Sequence, residues 1–139
     1  MKAAAKLCWI LWQLPQSLLA LFLFLALCPT GAEKRAGRVC FLFHGPPWLS
    51  GCSLGEFIFL PAWQRGNSAA LAHEHGHSIQ SRMLGPLYLL LVGIPSAAFC
   101  NLWDRLFHKS WPPEKRRQWY YSRYPEAWAD RLGGVARRA

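Results

Sequence analysis

His73 and His77, four residues apart with Glu74 directly after the first, impose the most demanding local requirement in this chain. Two imidazoles at that spacing meet on one face of an α-helix, so the residues around them must be helical if the pair is to act together. The flanks agree. Asn67 or Ser68 can cap the start, and Ala69, Ala70, Leu71 and Ala72 are mostly good helix formers. Gly76 weakens the helix slightly but lets a second backbone approach closely. Folded this way, His-Glu-x-x-His can turn both imidazoles toward one zinc ion. Glu74 is then offset along the same face, where a general base acts on a water. The competing reading is a polar patch of packing histidines on an amphipathic helix. A third ligand decides between them.

With 139 residues the chain holds one domain at most, and part of it reads as membrane-embedded. Residues 7–28 carry no charge and are interrupted only by Gln13, Pro15, Gln16 and Ser17. A helix of that length spans a bilayer. Lys2 and Lys6 precede it, and Lys34, Arg35 and Arg38 follow. A secretory signal peptide ending at a small-residue site around Thr30, Gly31 and Ala32 is the alternative, but the apolar run is long for one, so a retained anchor is expected. The net charge of +9 calls for an anionic partner. With 53% hydrophobic residues and no nucleic-acid-binding motif, phospholipid headgroups fit better than nucleic acid. The cysteines (Cys8, Cys28, Cys40, Cys52, Cys100) are odd in number and form no C-x-x-C pair, which argues against a disulfide framework or a cysteine zinc cage. Cys40 with Cys52 is left as a candidate bridge.

Residues 39–43 and 56–60 are short aromatic and β-branched runs separated by a stretch heavy in turn formers, which predicts a short β hairpin. Residues 84–103 form a second uncharged run, broken by Gly85-Pro86 and by Gly93 and Pro95. Beyond it, Pro112-Pro113 and the cluster Lys115, Arg116, Arg117 predict an interfacial loop. Trp111, Trp119, Tyr120 and Tyr121 would sit there at headgroup level.

The last segment begins like a helix at Pro125 and stops like one at Gly133-Gly134. Glu126 and Asp130, one turn apart, share a face. One carboxylate there can bind a metal while the other accepts a hydrogen bond from a ligand imidazole. An ordinary acidic helix start explains the pair equally well when it is taken alone.

Taken together, H-E-x-x-H and the downstream E-x-x-A-D resemble the gluzincin zinc metallopeptidases. The forms here, A-H-E-H-G-H and E-A-W-A-D-R-L-G, are most similar to the membrane metalloproteases of the CAAX prenyl-protease and HtpX-type group. The resemblance implies Zn2+ held by His73, His77 and Glu126, with Glu74 as the catalytic base and Asp130 as the partner of a zinc histidine, His73. His108, Tyr120, Tyr121 and Tyr124 are unranked candidates for stabilising an oxyanion. His75 points about 200° away around the helix and His44 reads as a loop residue, so neither is expected to be a ligand.

If Glu126 meets the two histidines, both motifs lie on one side of the bilayer and residues 84–103 cannot cross it once between them. Their glycines and prolines suit a re-entrant hairpin. From Asp104 onward nine Lys/Arg face four Asp/Glu, which favours the cytoplasmic side. The expected fold is therefore a mainly α membrane protein. Its transmembrane anchor occupies residues 1–30, and a minimal membrane-associated zincin-like domain occupies 31–139. That domain would hold the hairpin, the H-E-x-x-H helix, the re-entrant segment and the C-terminal E-x-x-A-D helix. The expected activity is a membrane-bound zinc peptidase of a prokaryotic inner membrane, with its active site at the cytoplasmic interface. It would act on peptides or membrane-protein segments, with a homo-oligomer supplying walls that one short chain lacks. The rival is a non-catalytic membrane protein whose zinc braces the fold or binds a partner.

Overall fold

The computed structural model describes residues 2–46 and 49–137; Pro47 and Trp48 of the turn-rich loop, and the side chain of Lys2, lie outside that description. Its centre is a mixed β-sheet, which corrects the expectation of a mainly α membrane protein. Four strands, β1 (Gly31–Arg35), β2 (Arg38–Phe43), β3 (Cys52–Leu54) and β4 (Phe57–Pro61), pair in the order β1-β2-β4-β3. The two apolar runs expected to form a hairpin are neighbours, but β2 and β4 run parallel. The hairpins are β1-β2 and β3-β4, both antiparallel. β1 escapes a pattern search because Glu33, Lys34 and Arg35 are charged; it is a sheet edge, where water can solvate those side chains. Ala36 and Gly37 close its hairpin, both at positive φ, the twist that a two-residue turn needs.

Side-chain alternation gives the sheet two apolar faces. Cys40, Leu42, Ile58 and Leu60 form one and pack against Leu71 of helix α3 (Ser68–Leu84). Phe43, Leu54 and Phe59 form the other, with Phe41 and Phe57 beside them. That second face meets Ala20, Leu23, Leu27 and Leu89. The sheet is thus covered on both sides, with α3 against one of them.

The N-terminal run is two helices, α1 (Lys2–Trp12) and α2 (Leu14–Leu27), rather than a single anchor. They meet at Gln13 with a bend of 96°. Pro15 has no N–H to give the preceding turn and starts a new helix instead. Among the described residues no single helix is long and apolar enough to cross a membrane, and this overturns the expected transmembrane helix. The joint is fastened by polar contacts. Gln13 Nε2 donates to Glu56 Oε1 at 3.2 Å, and Gln16 Nε2 donates to Ser81 Oγ at 3.0 Å and to the Gly85 carbonyl at 2.6 Å. Glu56 in turn receives both arms of Arg82 at 2.7 Å, with buried Arg38 at 3.6 Å.

Residues 85–107 do not turn back as a re-entrant hairpin. They run on as a succession of short helical segments: a 3-10 turn, two wide π-type stretches (Leu89–Gly93 and Pro95–Leu102), and a final α turn, α4 (Trp103–Phe107). The junctions at Tyr88, Ile94 and Trp103 all keep right-handed helical dihedrals. Pro95 is accommodated because it opens a wide turn, where its missing N–H costs no α-helical bond. The predicted interfacial loop is largely helix α5 (Pro113–Ser122). The last helix, α6 (Glu126–Gly133), closes on Gly134 at φ +71, as its sequence suggests. Cys40 and Cys52 sit on strands with β4 between them, and all five cysteines are free thiols.

Candidate metal centre

The site is made by two helices in backbone contact. α3 starts where Asn67 caps it, its side-chain oxygen accepting from the Ala70 N–H at 3.1 Å. Each helix has a glycine at the point of contact. A methyl group on Gly76 would lie 1.9 Å from the Ala129 carbonyl oxygen, and one on Gly133 would lie 2.0 Å from that of Ala72. Only hydrogen fits at either position. The close approach brings Glu126, one turn before Ala129, over the two histidines.

The donor atoms of His73, His77 and Glu126 all lie within 4.8 Å of one another, and this buried group could hold a metal ion. Glu126 Oε2 is 3.0 Å from His73 Nε2 and 3.3 Å from His77 Nε2. Behind this inner group the second ring nitrogens are also held. His73 Nδ1 meets Asp130 Oδ1 at 2.7 Å, and His77 Nδ1 meets Gln80 Oε1 at 2.7 Å. Gln80 is itself fixed, donating from Nε2 to the Pro125 carbonyl at 3.1 Å. An acceptor on each Nδ1 leaves each Nε2 lone pair turned to the centre, the tautomer a metal requires. Arg137 donates to both oxygens of Asp130. Ser96 Oγ donates to Glu126 Oε1 at 2.5 Å, leaving Oε2 for the shared centre.

The electrostatics follow from burial among opposite charges. Burial disfavours a charged His73, but its hydrogen bonds to the Asp130 and Glu126 carboxylates outweigh it and lift its pKa to about 9. Burial would raise Glu126, yet both histidines hold it well below the usual carboxylate range. A proton therefore competes with a metal for His73. Glu74 differs. It is buried and its pKa is raised, chiefly by desolvation, with His73 and His77 opposing. Its Oε2 has no hydrogen-bond partner among the described residues. A methyl group on Gly51 would stand 3.0 Å from Oε1, so bare backbone borders the carboxylate.

The remaining sequence candidates separate. Tyr121 packs edge-on against His73, with ring centres 5.1 Å apart, and Tyr120 accepts from Asn101 Nδ2 at 3.0 Å. Tyr124 donates to the Leu91 carbonyl, and His108 stacks on Trp111 beside Asp104, so neither addresses the metal group. His75 lies on another face of α3, near Arg38 and Arg82. His44 is exposed. Gln80, Ser96 and Arg137 join the site without having been singled out by any motif. Gln80 has a signal in the sequence, being one turn beyond His77 on the same helix face. Ser96 and Arg137 have none. Comparison with known protein families, characterised proteins and solved structures finds no match to this chain.

Proposed function

We propose that this chain is a zinc-dependent peptidase in which His73, His77 and Glu126 hold the ion and Glu74 is the general base. The observation that carries the reading is Glu74. A buried carboxylate with an oxygen unpartnered among the described residues, beside a two-histidine, one-glutamate group, is costly to the fold and has no structural use there. The donor set fits zinc, which in such sites has three protein ligands and one open position. When bound, zinc would supply Lewis acidity, polarising a carbonyl and acidifying a water. The chain's own groups do the rest. Glu74, its basicity raised by burial, takes a proton from the attacking water and passes it to the departing amine. Asp130 and Gln80 keep the imidazoles oriented, and Ser96 steadies Glu126. The substrate class is a peptide bond.

One observation favours the rival, a zinc site that only braces the fold. His73, Glu74 and His77 are 5–7% exposed and Glu126 is fully buried. The experiment that separates the readings is cleavage of a quenched-fluorescent peptide library by zinc-loaded protein, with Glu74→Gln alongside. The peptidase reading expects turnover in the wild type and its loss in Glu74→Gln at unchanged zinc content. A zinc-loaded wild type that cleaves nothing, together with a Glu74→Gln variant of higher melting temperature and equal zinc, supports the brace.

A further inference from the structure

We infer that the outward faces of α2 and of the helix over residues 85–107 form a surface that seats the protein on an anionic phospholipid bilayer without crossing it. This inference rests on apolar surface and charge, and is independent of the metal reading.

Both helices turn an apolar face outward, where a water-facing helix is polar. On α2, Gln16 and Ala20 are buried and Leu23 and Leu27 pack on the core, while Leu18, Leu21, Phe22 and Leu25 point out. Leu25 is 66% exposed, whereas Gln16 is fully buried. The longer helix repeats this at every fourth residue. Tyr88, Val92 and Cys100 are buried, and Ser96 reaches Glu126. Leu90, Ile94, Phe99 and Leu102 are all more than half exposed. Gln16 and Ser96 turn inward beside apolar residues, and the outward faces are aliphatic and aromatic. Water gives no reason for that arrangement, whereas hydrocarbon does. The two helices are neighbours on one core, because Leu23 and Leu27 of α2 and Leu89 of the longer helix pack on the same cluster of Ala20, Phe43, Leu54 and Phe59.

Charge selects the occupant. Neither residues 7–32 nor residues 85–103 include a charged side chain, while the whole chain carries +9. Two copies placed face to face would bring two such charges together, whereas an anionic surface is attracted. Just past the longer helix come Trp111 with Lys115 over its ring at 4.1 Å, and Trp119 with Arg123 at 5.3 Å. Paired aromatic and cationic groups of this kind suit the headgroup layer. The 96° bend between α1 and α2, with no single helix among the described residues long and apolar enough to cross a membrane, favours a seat within one leaflet. The same helix that faces lipid on one side holds Ser96 against Glu126 on the other, which would put the metal centre directly beneath the leaflet.

The test is flotation of the full chain with vesicles of phosphatidylcholine, with and without phosphatidylglycerol. Beside the wild type runs a variant carrying Phe22→Gln, Leu25→Gln, Ile94→Gln and Phe99→Gln. These side chains are exposed, so circular dichroism and zinc content should match the wild type. The expected result is flotation that needs phosphatidylglycerol and weakens with salt, with partitioning at least about tenfold lower in the variant. A measurement that needs no variant is tryptophan quenching by brominated lipids, expected in the wild type only with anionic vesicles. Equal flotation of variant and wild type, equal binding to neutral vesicles, or a discrete dimer that ignores vesicles would each overturn the proposal. The dimer would name a second copy as the occupant.

Discussion

Gly76→Ala tests the packing that creates the site, because it adds a single carbon where two helices touch. The new methyl would lie 1.9 Å from the Ala129 carbonyl oxygen. Carbon–oxygen contacts settle at 3.4 Å or more, so the helices must part by about 1.5 Å at this level. Backbone occupies the other side, and a rotamer change cannot absorb the clash. Alanine brings a gain of about 1 kcal/mol in helix propensity, against about 1–3 kcal/mol lost to overpacking. The net loss in stability is therefore modest, about 1 kcal/mol. The loss at the metal is not. Zinc–ligand distances tolerate only about 0.2 Å, and Glu126, one turn from Ala129, is carried off with its helix. The assay is zinc titration by calorimetry together with a thermal melt. The expected outcome is a folded protein with a slightly lower melting temperature and zinc affinity reduced by at least about 100-fold. Unchanged zinc affinity in Gly76→Ala would refute the claim that this contact positions Glu126.

One further expectation concerns the metal group and another the Glu56 joint. Ser96→Ala removes the hydroxyl on Glu126 Oε1 and should weaken zinc binding by about 10- to 100-fold with little change in the melt. Competition with a chromogenic chelator reads the affinity directly, and equal affinity would remove Ser96 from the site. The second concerns pH. Burial pushes Glu56 up, but Arg82, Arg38 and Gln13 outweigh it and hold its pKa below 4.5 in the folded state. A depressed folded pKa gives stability that is present above pH 4.5 and is lost as pH falls through the folded value. Glu56→Gln should flatten that part of the acid limb. It should also cost about 3 kcal/mol at neutral pH, because buried Arg38 loses its partner. Urea unfolding across pH checks both; an acid limb unchanged by the substitution would contradict the assignment.

What the chain discloses before folding depends on whether a feature is local. α3 and α6 are readable because their signals lie within a few residues: Asn67 as a cap, histidines at i and i+4, Pro125 before a helix and Gly134 after it. Even the use of Gly76 follows from what a missing side chain permits. The N-terminal run misleads because composition cannot distinguish one helix from two. Gln13 and Gln16 look like flaws in an apolar segment, yet they are its inner face, bound to Glu56, Ser81 and Gly85. The direction of β2 against β4 is equally hidden, since two apolar runs pair either way and the connection decides. Ser96 shows the limit most clearly. A small polar residue next to a proline in an apolar helix acquires meaning only once Glu126, thirty residues on, is folded against it.

The most direct test of the central claim is zinc content and affinity of the purified chain beside Glu126→Gln and Glu74→Gln. One zinc per chain is expected in the wild type, one in Glu74→Gln, and none held tightly in Glu126→Gln. A wild type that takes up no zinc after reconstitution, or a Glu126→Gln variant that binds it as tightly, would contradict that claim.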